Sequence, residues 1–402
     1  MPPLILVTGA TGYIASLLIP RLLERGYRVR ALARHPERLR RRKWYANVEM
    51  VQGDVMDPAT LMPALDGIHT AYYLIHNMSR GHGYIEAELQ GARNFSNAAG
   101  RKGIEHIIYL GGLADPEQHI APHLRSRIDT GRALREGEVP VTEFRAGVIA
   151  GSGSISFEMI RFMTELFPII PAPEWIRNRS QPIAIQNVID YLISALENKS
   201  GQGGVFEIGG PEITTYADLM LRYACARGLK RKMLLAPRIP VWFMAFGVNL
   251  MTPVPFPIAS ALIGGLSADS VVKHPGAQTT FPGIDLVDFD TATRKALELT
   301  HPDHIQRVWE DGGLELKSLK HEGCFVIHKI FAPGGKQPKE FIRSHIRNYF
   351  GELWIEHRLE QADRFSRTII FHPQGLPGFL YWYLIRPFLR LGFFDLFQKI
   401  SG

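Results

Sequence analysis

The chain has 402 residues, of which 46% are hydrophobic and 21% charged. This composition excludes a disordered or fibrous protein and predicts two or three globular domains. The net charge of +7 suits nucleotide phosphates, anionic lipids and nucleic acid about equally, so charge alone selects no partner.

The two cysteines, Cys225 and Cys324, lie far apart and lack metal-ligand spacing. This excludes a disulfide framework, gives no support for a metal site, and favours a reducing, cytoplasmic location. Because a strand pattern begins at Leu4, we expect no signal or transit peptide.

Strand and helix patterns alternate through the first part of the chain. Strands are predicted at Leu4–Val7, Tyr27–Ala33, Val48–Gln52, His69–Ile75, His106–Leu110 and Pro140–Phe144. The helices between them include Tyr13–Arg25, Ile85–Lys102 and His123–Arg135. Such alternation predicts an α/β fold: a doubly wound Rossmann parallel sheet that binds its ligand at the carboxyl ends of the strands.

Three regions are expected along the chain. Residues 1–230 are the Rossmann domain, for which the glycine loop "LVTGATGYIA" predicts NAD(P) binding, and 231–299 are a smaller, apolar substrate-side subdomain that the helix "DFDTATRKALEL" closes. Residues 300–402 are a small α+β domain ending in an apolar helix.

The loop "LVTGATGYIA" lies between the first strand and the first helix. Gly9 permits the tight turn, Gly12 lets the backbone approach a pyrophosphate, and Ala15 packs the helix closely on the sheet. The helix N-terminus offers free N–H groups to phosphates, so we expect Thr11, Tyr13 and Ile14 to contact the cofactor as well. The alternative is a small-residue turn without a ligand.

Cofactor preference is expected at the end of the second strand, where an acidic residue would accept hydrogen bonds from the ribose hydroxyls of NAD. Arg34 stands there instead, and a guanidinium can pair with a 2′-phosphate. NADP(H) is therefore preferred, with NAD(H) possible. The alternative is a solvated basic face, which we expect for most of Arg38–Lys43.

Further cofactor contacts are expected where the next strands end. Asp54 and Val55, in "GDVMD", are placed to hold the adenine edge. Leu74 and Gly111 follow at the ends of the fourth and fifth strands.

These stretches resemble the short-chain dehydrogenase/reductase superfamily in its extended and atypical branches. The resemblance is carried by "VTGATGYIA", "ARHPERL", "GDVMDPATL", "VPVTEFRAGVIAGSGSISFEMIR", "RSQPIAIQNVIDYLISAL" and "VFEIGGPEITTYADL". They are most similar to an NmrA-like, epimerase-like subgroup of NAD(P)H-binding proteins. The tail "FHPQGLPGFLYWYLIRPF" resembles the end of a DUF2867 domain, itself similar to START/polyketide-cyclase proteins that enclose apolar ligands.

Active members of this superfamily use a Tyr-x-x-x-Lys pair after the fifth strand, with Ser or Thr at that strand's end. Here Gly111 and Gly112 end the strand, and the resemblance puts His123 in the tyrosine place and Arg127 in the lysine place. The histidine could donate a proton, although the neighbouring cation favours neutral imidazole. The alternative is that both side chains cap the site or bind cofactor phosphate and ribose.

Other side chains could face a substrate. His76, followed by Asn77 and Met78 after the fourth strand, is a second proton-donor candidate near the nicotinamide end. Arg145 follows the sixth strand, where extended members of the superfamily line the substrate pocket. Arg179–Gln181 either grip an anionic or carbonyl group or form a surface ion pair, and the sequence favours neither.

The stretch Ile239–Ala268 contains no charged residue, but prolines 253, 255 and 257 argue against a transmembrane helix. It is either a helical pair that caps the site or a lid that dips into a membrane surface. Both alternatives imply a hydrophobic substrate.

The C-terminal region combines strand and helix patterns. "GCFVIHKIFA" predicts a strand, "PKEFIRSHIRNYF" an amphipathic helix, and "LWIEHRLEQADRFSRTIIFH" one or two strands. The last segment is aromatic-rich with Arg386, Arg390 and Lys399. It is either an interfacial membrane anchor, on the inner face of the membrane, or a terminal helix packed on its own domain or a partner subunit.

Two functional hypotheses are consistent with these features. The first is an NADP(H)-dependent oxidoreductase for a hydrophobic carbonyl or isoprenoid-like compound near a membrane surface, with a proton from His123, His76 or water. The second is a non-catalytic dinucleotide-binding redox sensor or assembly factor, which the missing Ser/Tyr/Lys set supports. We expect no nucleic-acid partner, and the sequence is compatible with a homo-oligomer.

Overall fold

The computed structural model describes residues 2–40, 42–76, 83–115, 117–118, 120–235, 239–240, 242–246, 256–266, 268–299, 324–331, 342–359 and 365–391. Its strands are β1 (Leu4–Thr8), β2 (Arg28–Ala33), β3 (Glu49–Gln52), β4 (Thr70–Tyr73), β5 (His106–Gly112), β6 (Val141–Ala146), β7 (Ile149–Ala150), β8 (Ile169–Ala172), β9 (Arg179–Ser180), β10 (Ile183–Ala184), β11 (Val205–Ile208), β12 (Thr214–Thr215), β13 (Lys232–Leu235), β14 (Phe325–Phe331), β15 (Ile342–Asn348), β16 (Gly351–Leu359) and β17 (Phe365–Pro373). Its helices are α1 (Tyr13–Glu24), α2 (Pro58–Ala64), α3 (Tyr84–Lys102), α4 (Pro122–Arg135), α5 (Ile155–Leu166), α6 (Ile185–Glu197), α7 (Tyr216–Ala226), α8 (242–246), α9 (Phe256–Gly265), α10 (Gly276–Thr280), α11 (Phe289–Glu298) and α12 (Gly375–Leu391).

A seven-stranded parallel sheet lies at the centre of the first domain, with the strand order β11-β6-β5-β4-β1-β2-β3. Apolar side chains of α1 and α6 pack on one face, and those of α2, α3 and α4 on the other. Helices cover both faces, so the strands are buried and nearly continuous in apolar residues. The doubly wound α/β fold predicted from the sequence is confirmed.

The strand order reverses between β1 and β4, which both border the centre of the sheet. The loops that leave these two strands therefore turn to opposite sides and open a crevice at their carboxyl ends. The Leu74 amide N–H donates to Thr8 Oγ1 at 3.0 Å and ties the two strand ends together.

The substrate-side elements form a second apolar core beside the sheet. It contains buried side chains of α5, α7 and α11, including Phe157, Leu219 and Phe289. Within Ile239–Ala268, Met244 and Ala245 of α8 and Ile263 of α9 pack into the same core. The described parts of the stretch are thus two helices packed on the substrate-side core. Whether the stretch caps the site or dips into a membrane stays a prediction, and residues 241, 247–255 and 267 lie outside the described residues.

The C-terminal region is a four-stranded antiparallel sheet of order β14-β17-β16-β15, with α12 packed against it. The strand predicted in "GCFVIHKIFA" is confirmed, and of the one or two strands predicted in "LWIEHRLEQADRFSRTIIFH", two are present, β16 and β17. The amphipathic helix predicted for "PKEFIRSHIRNYF" is wrong, because Ile342–Asn348 form β15 and pair along their whole length with β16. The resemblance of this region to DUF2867 stays a prediction.

The C-terminal sheet is joined to α5 by buried charged groups as well as by apolar packing. Arg161 Nη2 lies 2.5 Å from His372 Nε2, and both side chains are buried. Glu165 accepts from Arg227 Nε at 2.6 Å and from the Gly375 amide at 2.8 Å. Helix α5 therefore belongs to both the substrate-side core and the C-terminal interface.

Helix α12 has two different sides. Phe379, Trp382, Ile385 and Leu389 are buried against the C-terminal sheet and α5. Leu380, Tyr383, Leu384 and Phe388 are exposed. Within the described part of the chain, no helix has the length and apolarity needed to cross a membrane.

Candidate active site

A cleft lies at the carboxyl ends of β1, β2, β4 and β5, where the strand order predicts the ligand. Its empty space, counted with the open mouth, is about 1820 Å³. All of the cofactor and catalytic residues proposed from the sequence line this one cleft: Gly9, Thr11, Gly12, Tyr13, Ile14, Arg34, Asp54, Val55, Leu74, His76, Gly111, His123 and Arg127.

The turn after β1 has no room for side chains. Gly9 has a φ of +62°, and a Cβ there would lie 2.6 Å from the Leu74 carbonyl oxygen. Gly12 is the N-cap of α1, and its amide donates to the Gly9 carbonyl at 2.8 Å. Backbone is therefore exposed to the cleft beside a helix N-terminus, which fits a dinucleotide pyrophosphate.

The side chains expected to contact the adenosine half of the dinucleotide lie at the opposite end of the cleft. Arg34 is exposed and directly follows β2. Asp54 Oδ1 accepts from the Met56 amide at 3.0 Å, which fixes the loop after β3. Arg38, Arg40 and Lys43 are exposed, as expected of a solvated basic face.

His76 and Arg127 lie together at the inner end of the cleft. Arg127 Nη1 is 2.5 Å from His76 Nε2, and since a guanidinium only donates, the histidine accepts through Nε2. His76 is exposed to the cleft, and desolvation by the protein atoms around its ring, followed by the Arg127 charge, lowers the pKa of His76 well below its usual value. His76 is thus neutral at pH 7 and orients Arg127; its Nε2 has no proton to donate in this arrangement.

Helix α4 is fixed over the sheet by polar contacts on either side of Arg127. The Tyr109 hydroxyl donates to the Arg127 carbonyl at 2.9 Å, and the Ser126 hydroxyl donates to Glu88 at 2.5 Å. These bonds hold the first two turns of α4, which carry His123 and Arg127 one helical turn apart.

His123 is buried, with 5% of its surface exposed, and its Nδ1 has no hydrogen-bond partner among the described residues. Burial, followed by the Arg127 charge, lowers the pKa of His123 to about 4, so the ring is neutral at pH 7. Gly265 of α9 lies against the ring: a Cβ at Gly265 would be 2.8 Å from His123 Cε1. The absence of a side chain at Gly265 makes room for the imidazole.

The other substrate-facing candidates have partners elsewhere. Arg145 lies within β6 and donates to the buried Glu143 carboxylate at 2.7 Å. Arg179 pairs with Asp269 at 2.9 Å on the surface, which is the ion-pair alternative. The Gln181 amide donates to the Gly210 carbonyl at 2.8 Å. Neither these residues nor the buried Ser180 occur among the described residues that line the cleft. Asn77 and Met78 lie outside the described residues.

Sequence reasoning missed an apolar chamber that adjoins the cleft. The chamber has about 690 Å³ of empty space and is lined by residues of α5, α7 and α9 and by the ends of β5 and β6. His123, Leu124, Gly147, Ser156 and Leu262 line both the chamber and the cleft. Helix α9 was expected to cap the site, but no local pattern marked the chamber, because its walls come together only in the tertiary structure.

Within the described residues, no group of three or more His, Cys, Asp or Glu is arranged to hold a metal ion. Cys225 is exposed and Cys324 is buried, and neither forms a disulfide. The ionisable side chains described at the inner end of the cleft are His76, His123 and Arg127.

The chain is similar to known dinucleotide-binding proteins. Residues 9–135 match a family model described as NAD(P)H-binding. Photosystem II assembly factor Ycf39 of Cyanophora paradoxa is 27% identical over 257 residues, which cover 61% of this chain and 74% of that protein. The (4-alkanoyl-5-oxo-2,5-dihydrofuran-3-yl)methyl phosphate reductase of Streptomyces griseus is 27% identical over 271 residues, covering 65% and 85%.

A solved structure has the same fold. The triphenylmethane reductase of Citrobacter sp., in complex with NADP(H), superposes with a TM-score of 0.59 at 20% identity, covering 72% of this chain and 99% of that one. At this level of identity, the similarity concerns the fold alone. Residues 9–135 are therefore similar to an NAD(P)H-binding family, and the first domain has the Rossmann fold of solved reductases and epimerases.

Proposed function

We propose that the protein is an NADP(H)-dependent oxidoreductase that reduces a hydrophobic carbonyl compound. One observation carries the proposal: His123, a buried neutral imidazole with an unpartnered Nδ1, stands where the dinucleotide cleft meets an apolar chamber. A hydrogen-bonding group at such a junction is suited to hold a carbonyl oxygen next to a nicotinamide.

In this proposal, some residues of the cleft bind the cofactor and others contact the carbonyl group. Gly9 and Gly12 receive the pyrophosphate, and Arg34 pairs with a 2′-phosphate, which favours NADP(H) over NAD(H). When bound, the reduced cofactor supplies the hydride for the carbonyl carbon. His123 donates a hydrogen bond to the carbonyl oxygen, and Arg127, oriented by His76, stabilises the negative charge that develops there.

The final proton comes from water in this proposal. Because burial and Arg127 hold the pKa of His123 near 4, the ring is neutral at pH 7 and acts as a hydrogen-bond donor rather than as an acid. His76 is also neutral and accepts from Arg127. A neutral imidazole in a site of this kind can polarise a carbonyl without transferring its own proton.

A second candidate function is a non-catalytic redox sensor or assembly factor. Gly111 and Gly112 provide no hydroxyl group at the end of β5, and the similarity to an assembly factor agrees with this alternative. In that case the affinity of the protein for its partner would change with the NADPH/NADP ratio, and no substrate would be turned over.

We further propose that the protein works at a membrane surface. Trp242, Phe243 and Phe246 of α8 are each more than half exposed, and α12 presents Leu384 and Phe388 to solvent. Aromatic and aliphatic side chains of this kind favour the interfacial region of a bilayer. Binding to anionic vesicles that is lost in Trp242→Ser/Phe243→Ser would support this role, and unchanged binding would contradict it for α8.

The test of catalysis uses NADPH deuterated at both C4 hydrogens. The purified protein is incubated with a lipid and quinone extract, and products are searched by mass spectrometry for a gained deuterium. A labelled product that disappears with His123→Ala supports the oxidoreductase and the role of His123. Tight NADPH binding without transferred label, across several extracts, supports the sensor or assembly factor instead.

A further inference from the structure

The apolar chamber beside the cleft is lined by uncharged residues. Met159, Ile160 and Met163 come from α5, Met220 from α7, Leu262 from α9, and Leu266 directly follows α9. These three helices pack together in the substrate-side core, so the walls of the chamber belong to the packed core of the fold. Its 690 Å³ of empty space includes the opening toward solvent.

Few polar groups face this chamber, and the structure accounts for most of them. Ser270 Oγ donates to the Leu113 carbonyl at 3.1 Å. Tyr216 is buried, and burial raises its pKa to about 12, so its hydroxyl is uncharged at pH 7. The remaining polar groups, His123 and Ser156, lie where the chamber meets the cleft. Polarity is therefore concentrated at the mouth of the chamber and its middle is apolar.

The apolar lining of the chamber favours uncharged ligand groups over charged ones. A carboxylate or phosphate in the chamber would lose its hydration without gaining a cationic partner, because no Lys or Arg lines it among the described residues. The transfer of a hydrocarbon chain from water into the chamber is favourable, because its apolar surface is removed from water. Three methionine side chains line the chamber and can adjust to hydrocarbon chains of different shape, since each has three rotatable bonds.

We infer that the chamber holds the uncharged aliphatic tail of the substrate, while the carbonyl group stays at His123 in the mouth. The substrate class is thus a long-chain aldehyde or ketone whose tail carries no charge, and compounds with a charged group at the chamber end are excluded. This inference rests on the proposed function for the position of the carbonyl group, but occupancy of the chamber can be measured without turnover.

The experiment measures binding of 1-octanol and of 8-amino-1-octanol to the NADPH-loaded full chain by calorimetry at pH 7.5. Octanol is expected to bind at least tenfold more tightly than the amino alcohol, which has the same chain length and carries a positive charge at the end of the chain that enters the chamber. Met163→Trp, which fills the chamber, should weaken octanol binding at least tenfold and leave NADPH affinity unchanged. Leu221→Trp is the matched control, because Leu221 is on α7 but 39% exposed and outside the chamber lining.

Equal affinity for octanol and 8-amino-1-octanol, or octanol binding unaffected by Met163→Trp, would overturn the inference. If Met163→Trp does not fold, Met220→Trp takes its place, and the comparison of the two ligands on the wild-type chain still decides. Octanol binding in the expected pattern, together with no deuterium transfer from labelled NADPH to octanal, leaves the chamber assignment standing and counts against the reductase. Deuterium transfer to 8-oxooctanoate as fast as to octanal supports a reductase and overturns the chamber assignment.

Discussion

Arg127 donates through Nη1 to His76 Nε2 at 2.5 Å, from helix α4 to the end of strand β4. The contact joins two elements that are distant in sequence and places the guanidinium at the inner end of the cleft. His76, proposed from the sequence as a proton donor, is an acceptor in this pair. Arg127 is thus held in one orientation toward the reacting groups.

Arg127→Ala should reduce deuteride transfer from labelled NADPH by about 100-fold, the usual effect of removing one group that stabilises an oxyanion. It should also raise the pKa of His123, because the charge that lowers it is removed. The pKa can be followed by NMR of the imidazole protons. Arg132→Ala is the control, since Arg132 lies on the same helix and pairs with Asp129 at the surface. An Arg127→Ala protein with normal transfer would remove Arg127 from the mechanism.

Gly265→Ala tests whether the position of His123 matters. The new Cβ would lie 2.8 Å from His123 Cε1, so the ring must move. Because small displacements of catalytic groups cost up to two orders of magnitude in rate, we expect deuteride transfer to fall about 10- to 100-fold. NADPH affinity should stay within about twofold, since α9 contacts the cleft only at its inner end.

The neighbouring glycine supplies a matched control for this variant. A Cβ at Gly264 would meet only the Ala121 methyl group at 3.9 Å, an ordinary contact, so Gly264→Ala should behave as wild type. Equal rates in the Gly264 and Gly265 variants would show that the ring can shift without consequence.

The fold of the first domain could be predicted from the sequence because its signals are local. The buried strand and glycine turn before Tyr13, for example, predicted a helix over Tyr13–Arg25, and α1 spans Tyr13–Glu24. The proposed cofactor residues at the strand ends followed from the same reasoning, since parallel strands bring their carboxyl ends to one edge of the sheet. His123 and Arg127 were proposed from the family resemblance and line the same cleft.

Other features depend on contacts that no local pattern shows. The methionines of α5 and α7 meet only when the two helices pack, so the chamber was not predicted. Strand β15 was mistaken for a helix because Phe341 and Ile342 precede Ile346 at helical spacing. The alternation of Arg343, His345 and Arg347 was the signal for a strand, and pairing with β16 decided in its favour. Arg145 was expected to face substrate, although Glu143 two residues earlier in the same strand was available as its partner.

Arg34→Ala should change the cofactor preference. Removing a charge-assisted contact to a phosphate costs about 1.5–3 kcal/mol, so NADPH affinity should fall roughly 10- to 100-fold. NADH affinity should not change, because NADH has no 2′-phosphate. Fluorescence titration with both cofactors measures the two affinities. Arg40→Ala, at an exposed position behind the cleft, is the control, and an equal loss for NADH and NADPH would contradict the assignment.

Stability should fall as the pH drops below about 6.5, because three buried histidines resist protonation. Burial is the main cause at each: it lowers the pKa of His106 and His123 to about 4 and that of His372 well below its usual value. The unfolded chain takes up protons near pH 6.5 and the native state does not, so His106 and His123 destabilise the fold increasingly between about pH 6.5 and 4. His372 acts in the same direction below pH 6.5. For each histidine, the free energy of unfolding falls by at most about 1.4 kcal/mol per pH unit.

Urea unfolding of wild-type protein and of His106→Gln between pH 4.5 and 8 measures this effect. His106 Nε2 lies 2.8 Å from Thr142 Oγ1, and the glutamine amide can keep a hydrogen bond at that position without a titrating group. The variant should therefore lose less stability on acidification than the wild type, by up to about 1.4 kcal/mol for each pH unit below 6.5. His274→Gln, at an exposed position, should retain the wild-type slope. Parallel curves for all three proteins would mean that His106 is protonated equally in the folded and unfolded chains.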